Sequence, residues 1–198
     1  MVVVVSSPLP IQKESDLINQ LFENGLEYFH LRKPDYGEDE IIAMLNEISS
    51  KYHKHISLHT HLHLAEDFKM NRLHFNEFKR ENGEYKNYGK DWIKSTSIHS
   101  DTILAEGLNE FDYCFYGPVF NSISKEGYHK MNSLNIDHIR KIYINKVIGI
   151  GGIDDKNLNV LKKKGYGGIA VLGSIWQQSQ NAVLNFKTIQ DKWINSGQ

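Results

Sequence analysis

Short apolar runs alternate with longer stretches of helical periodicity along the whole chain. Val2–Val5 is apolar at every position, the pattern of a strand buried on both faces, and it stops at Ser6, Ser7 and Pro8. Leu17, Ile18, Leu21 and Phe22 recur at the spacing of one helix face, and Asn24-Gly25 ends that helix. Tyr28–Leu31 predicts a second strand. Ile41, Met44, Leu45 and Ile48 predict a second helix, opened by Glu38, Asp39 and Glu40, which suit a helix N-terminus. Further strands are expected at Ile56–Leu58, Arg72–Phe75, residues 94–98, Tyr113–Tyr116, Val147–Ile150 and residues 168–172. Helices are expected at 64–70, 102–108, 136–142, 157–164 and 182–194, whereas 76–90 is polar and irregular.

This alternation defines a parallel α/β class. Eight strand signals in one short chain favour a closed (β/α)8 TIM barrel over an open Rossmann-like or flavodoxin-like sheet, which alternation alone does not exclude. At 198 residues the chain is compact for a barrel, a fold that typically takes about 250. Short loops and a reduced helix after strand four are therefore expected. No low-complexity or Pro/Gly-rich linker divides the sequence, so residues 1–198 read as a single domain.

Composition narrows the partners. A formal net charge of −1 gives no electrostatic reason for a nucleic-acid or anionic-membrane partner. The apolar start, five residues from Met1 to Val5, is too short for a signal-peptide core or a membrane span. A single cysteine, Cys114, leaves no intramolecular disulfide and fits a reducing compartment, so a cytoplasmic location is expected. Cys114 lies mid-strand among aromatics and reads as packing; Trp176 and Trp193 read as packing or a subunit contact.

The sharpest local signal is Gly149-Ile150-Gly151-Gly152-Ile153, a strand running into a glycine pair with Asp154 before a helical pattern. Glycines there let the backbone approach a ligand and aim N–H groups at an anion. A second strand-to-Gly turn follows at Gly173-Ser174. Two such turns after the last two strands form the phosphate cradle common in TIM barrels. Gly151, Gly152, Gly173 and Ser174 are therefore candidate phosphate-binding residues, the alternative being tight turns with no ligand.

Tyr113 to Phe120, followed by Ser122, Ser124 and Lys125, resembles the sixth-strand signature of thiamine phosphate synthases. Phe29-His30-Leu31-Arg32, Ser97-Ile98-His99-Ser100 and the two glycine turns keep that family's order and spacing. The family comprises the synthase and the TenI-type thiazole tautomerases. In the synthase, Mg²⁺ and basic residues hold a pyrimidine diphosphate; pyrophosphate leaves as the thiazole nitrogen attacks the pyrimidine methylene. In TenI-like enzymes a proton moves on a thiazole carboxylate phosphate and the ring becomes aromatic. The resemblance implies a small phosphorylated thiazole as ligand and a homodimer.

This chain departs from the synthase pattern. Gln-x-Arg-x-Lys after strand two reads His30, Arg32 and Pro34 here, closer to the His-x-Arg of TenI-like proteins. Lys33 is adjacent but a one-residue shift points it to the other strand face. Where the synthase carries Asn-Asp after strand three, counting back from His74 puts His59 and Thr60, and the second metal-binding aspartate falls near Lys79. Mg²⁺ prefers carboxylate oxygens. No metal ligand and no cofactor are therefore expected, Mg²⁺ entering only in the synthase reading.

The leading expectation is a TenI-like tautomerase, with His99 as the acid/base because an imidazole titrates near neutrality. Arg32 could clamp an anionic group bidentately or form a rim salt bridge with Asp35 or Glu38. His30, His59, Ser122, Ser124 and Lys125 would complete substrate binding. His55, His59, His61 and His63 are spaced to bind Zn²⁺, but His59 facing the site with His61 and His63 in the following turn is the simpler reading. The alternatives are a divergent thiamine phosphate synthase and a non-catalytic binder of thiazole or thiamine phosphates.

Overall fold

In the computed structural model, which describes residues 1–100, 108–120 and 146–195, eight parallel strands close into a barrel in sequence order. They are β1 Val2–Val5, β2 Tyr28–Leu31, β3 Ile56–Leu58, β4 Arg72–Phe75, β5 Ile93–Ile98, β6 Tyr113–Tyr116, β7 Val147–Ile150 and β8 Gly168–Val171. Closure is made by β1 and β8, with Val3 opposite Ala170. The open-sheet alternative is thereby excluded.

Around the barrel lie α1 Glu14–Glu23, α2 Glu38–Glu47, α3 Leu64–Asp67, α4 Glu77–Glu81, α5 Leu158–Lys163, α6 Gly173–Trp176 and α7 Ala182–Asn195. Helix α1 stops where expected: Asn24 caps it and Gly25 takes a φ of 93°. The helix expected at 64–70 is a single turn, because Lys69 turns left-handed at φ 54° and leads straight into β4. Only five residues of helix follow β4, and Gly83 at φ 73° diverts the chain into a 3-10 turn at Glu84–Asn87. The one-turn α6, directly after β8, was not expected from the pattern. The helices expected at 136–142 and, but for Leu108, at 102–108 lie outside the described residues, as do Ser122, Ser124 and Lys125.

Strand alternation sorts the core into two clusters. Val2, Val4, Phe29, Leu31, Ile56, Leu58, Leu73 and Phe75 face outward and pack under the helices. Val3, Val5, Tyr113, Phe115, Ile148 and Ala170 face inward and fill one side of the lumen. The other side, lined by β2 to β5, is polar: His30, Ser57, Arg72, His74 and Ser95 are all buried. Buried polar groups hold their place only if hydrogen-bonded; His30, Ser57, His74 and Ser95 are, whereas Arg72 Nε has no partner among the described residues. His30 Nε2 bonds Tyr113 Oη at 2.8 Å, Ser57 Oγ reaches the same hydroxyl at 3.3 Å, and His74 bonds Ser95 Oγ at 2.9 Å. The Arg72 guanidinium lies 4.1 Å from the Tyr28 ring centre.

Lys33 points to the far side of β2's extension, as the one-residue shift requires. It is fully buried, ion-paired with buried Glu14, and donates to Leu9 O at 3.1 Å. It is thus a strut between the segment after β1 and the segment after β2. Cys114 is buried in the outward cluster, and burial pushes its thiol up to about 12, so it is inert packing. Trp176 and Trp193 are also buried, Trp176 donating to Val5 O at 2.7 Å. No helix among the described residues is long and apolar enough to cross a membrane.

Candidate active site at the strand C-termini

The segments after β7 and β8 form one wall of the barrel mouth. Gly151 and Gly152 carry φ of 98° and 64°, a left-handed conformation that side-chain-bearing residues rarely adopt. Crowding adds a second reason for glycine. A Cβ on Gly151 would stand 2.8 Å from Pro118 Cβ, and one on Gly152 2.8 Å from Phe120 Cβ. These glycines line a cavity of about 510 Å³ together with Gly173 and Ser174. All four residues singled out by the sequence therefore meet in one place. Gly173 and Ser174 open α6, whose first N–H groups have no intrahelical acceptor. The Ser174 hydroxyl is buried and has no hydrogen-bond partner among the described residues. Asp154, at the cavity edge, is engaged in its own turn, accepting from Lys156 N at 2.9 Å.

A second cavity, about 540 Å³, opens over β2, β4 and β5 and is lined by Arg32, Asn76, Glu77, Phe78, Ser97 and His99 among others. His99 Nδ1 donates to Gly117 O at 2.7 Å, which fixes the orientation of the ring. The Ser6 hydroxyl holds the Arg32 backbone, accepting from its N at 2.7 Å and donating to its O at 2.9 Å. The guanidinium forms no ion pair among the described residues; Glu38 is taken by His61 and His63 instead. Lys79 donates to His59 O at 3.0 Å, and burial holds its ammonium below the ordinary lysine range.

Beneath this cavity the structure unites His30, His59 and His74, whose ring nitrogens lie within 4.8 Å of one another. His30 Nδ1 and His59 Nε2 share a hydrogen bond of 2.9 Å, while the rings of His59 and His74 stack at 4.0 Å. Burial first, then neighbouring positive groups, drives His30 and His59 well below the usual imidazole range and His74 down to about 3. All three are neutral at neutral pH. His30 is fully buried and hydrogen-bonded to the half-buried His59. His61 and His63 stand apart on Glu38, in the turn before α3. The sequence reading missed His74 as a site residue, along with Lys79, Ser97 and Tyr113.

The Mg²⁺ that the family resemblance attaches to a synthase requires oxygen ligands, chiefly carboxylates. The one cluster of three or more potential ligands among the described residues consists of imidazoles, and the ammonium of Lys79 sits on its edge. The imidazoles do not fit Mg²⁺, and the two carboxylates that line the cavity above them, Glu77 and Glu81, are paired with Arg80.

Fold and site together define a (β/α)8 barrel with two cavities on the C-terminal face, where such barrels carry their chemistry. The family model described as thiamine monophosphate synthase matches residues 1–175. The chain belongs to this family. It is 24% identical over 184 residues to the thiamine-phosphate synthase of Lactococcus lactis, covering 87% of this chain and 84% of that protein. With the synthase of Desulfitobacterium hafniense it shares 25% over 185 residues, 90% and 88% of the two chains. The crystal structure of thiamine phosphate pyrophosphorylase from Bacteroides thetaiotaomicron superimposes with a TM-score of 0.78 at 28% identity, covering 96% of each chain.

Proposed function

We propose that this chain is a thiamine-phosphate synthase, joining a pyrimidine diphosphate to a thiazole phosphate. The observation that carries the reading is a pair of cavities on one barrel mouth, one built of glycine turns and one in which Arg32 and His99 stand beside Asn76, Ser97 and two glutamates. The similarity to proteins named as synthases, over most of both chains, supports it. This reverses the order of preference drawn from the sequence, where the tautomerase led.

In this scheme the thiazole phosphate rests on the backbone N–H groups of Gly151, Gly152, Gly173 and Ser174, with the Ser174 hydroxyl as a further donor. Arg32 and Lys79 face the diphosphate. The bond between the pyrimidine methylene and the diphosphate oxygen breaks, and pyrophosphate leaves with the electron pair. The thiazole nitrogen donates its lone pair to the methylene carbon, forming the new C–N bond. Positive side chains placed where charge develops on the leaving group stabilise that transition state more than the ground state. Ser122, Ser124 and Lys125 are assigned to the same mouth by the resemblance.

A specific observation keeps the tautomerase as second reading. His99, its ring oriented by Gly117 O, lines the same cavity as Arg32, a placement suited to moving a proton on a bound thiazole carboxylate. Supplying both substrates and following pyrophosphate and thiamine phosphate tests the first reading; supplying the thiazole carboxylate tautomer alone and following aromatisation tests the second. In a synthase, His99→Ala should retain pyrophosphate release within about tenfold. In a tautomerase it should lose about 10²–10⁴-fold, the usual range for a general acid–base residue. Silence in both assays, with thiazole phosphate still bound, would reduce the protein to a binder.

A further inference from the structure

We propose that His30, His59 and His74 form a binding site for a borderline-soft divalent transition ion, with Zn²⁺ foremost, inside the barrel beneath its mouth. The inference does not depend on which reaction the mouth performs. It starts from convergence: three imidazoles from β2, the end of β3 and β4 bring ring nitrogens within 4.8 Å of one another. On a tetrahedral zinc, nitrogens at about 2.0–2.1 Å from the metal stand about 3.3 Å apart. His30 Nδ1 and His59 Nε2 are already at 2.9 Å. The stacked ring of His74 has to rotate to join them.

Ligand chemistry selects the ion. Imidazole nitrogen suits Zn²⁺ and its neighbours, whereas Mg²⁺ demands oxygen. The outer partners are also in place. Tyr113 Oη on His30 Nε2 fixes that ring so that Nδ1 points at its neighbours, and Ser95 and Ser97 hold His74 Nδ1 and Nε2, each at 2.9 Å. Hydroxyls bonded to the non-ligating nitrogen orient and strengthen imidazole ligands. One of the two serines must release His74 when it ligates.

Positive charge opposes the site. Arg32 beyond β2, Arg72 on β4 and Lys79 on α4 all act on these rings. The affinity should therefore fall short of that of a closed structural zinc site. A hydrogen-bonded histidine cluster that never binds metal is the competing description, and the surface set His61, His63 and Glu38 is the competing location.

The full chain, treated with chelator and dialysed, is titrated with Zn²⁺ by calorimetry and with Co²⁺ by visible absorption. One equivalent of Zn²⁺ is expected, together with the intense ligand-field bands of low-coordinate Co²⁺, and a large excess of Mg²⁺ should not displace either. His59→Gln, at the half-buried mouth, and His74→Gln should each weaken Zn²⁺ binding by at least about tenfold, and His63→Gln should leave it unchanged. Circular dichroism checks folding; if His74→Gln does not fold, His59→Gln decides alone. No saturable Zn²⁺ binding, binding unaffected by His59→Gln, or binding lost with His63→Gln would each overturn the proposal.

Discussion

A Lys33→Met protein should lose about 3–5 kcal/mol of stability near neutral pH, the usual cost of removing one partner from a buried ion pair. Methionine keeps the length and most of the volume of the lysine stem, so the loss isolates the charge. Glu14 is left buried with its second oxygen, Oε1, already lacking a hydrogen bond. The sign of the pH dependence follows. Burial already raises the Glu14 carboxyl above its ordinary value of 4.5 despite Lys33, and without Lys33 it should rise further. A carboxyl with a raised folded-state pKa contributes its stability below the unfolded value and loses it as pH climbs through the folded one. The variant should therefore regain part of its deficit between about pH 7 and pH 5. Urea denaturation of both proteins at the two pH values measures this. An equal deficit at both would show that Lys33 acts through packing of its methylenes. The effect should also reach the mouth, since Lys33 ties down Leu9 on the segment following β1.

The physical reasons for this scaffold were unevenly written in the sequence. β1, β6 and β8 are apolar on both faces, the signature of a strand inside a parallel barrel, and their expected bounds match the structure apart from Leu172, which leaves β8 to cap α6. The glycine cradle was legible because a turn that must avoid Pro118 and Phe120 can be built only one way. The histidine trio was not. His55 to His63 stood out as a cluster along the chain, yet in space His59 joins His30 and His74, each from a different strand, while His61 and His63 turn away to Glu38. A usable signal existed in the alternation of β4. Arg72 and His74 place polar groups at period two where Leu73 and Phe75 keep the outer face apolar, whereas on β5 Ser95 and Ser97 are hidden between polar Lys94 and Thr96. Such alternation normally means a solvated face. Barrel closure turns that same face inward, and register then fixes which polar groups meet, with His30 opposite Ser57 and His74 opposite Ser95.

Gly152→Ala should weaken thiazole phosphate binding by about two orders of magnitude. Holding a side-chain-bearing residue in the left-handed region costs roughly 1–2 kcal/mol. Forcing a methyl against an occupied neighbour adds roughly 1–3 kcal/mol. The φ of 64° sets the first cost, and Phe120 sets the second, since its Cβ and carbonyl oxygen would lie 2.8 and 2.9 Å from the new atom. Turning residues 151–153 out of the cavity would relieve both, and would remove the N–H groups that the proposed scheme places on the phosphate. A tenfold change in affinity corresponds to about 1.4 kcal/mol, so even half of the combined cost, if expressed as binding, gives a large effect. Calorimetry with the thiazole phosphate and with its unphosphorylated alcohol separates the causes. Loss confined to the phosphorylated ligand, with the melting temperature lowered by only a few degrees, places the phosphate on this turn. Equal loss for both ligands would mean that the substitution disturbs the mouth as a whole, and unchanged binding of both would remove Gly152 from the phosphate site.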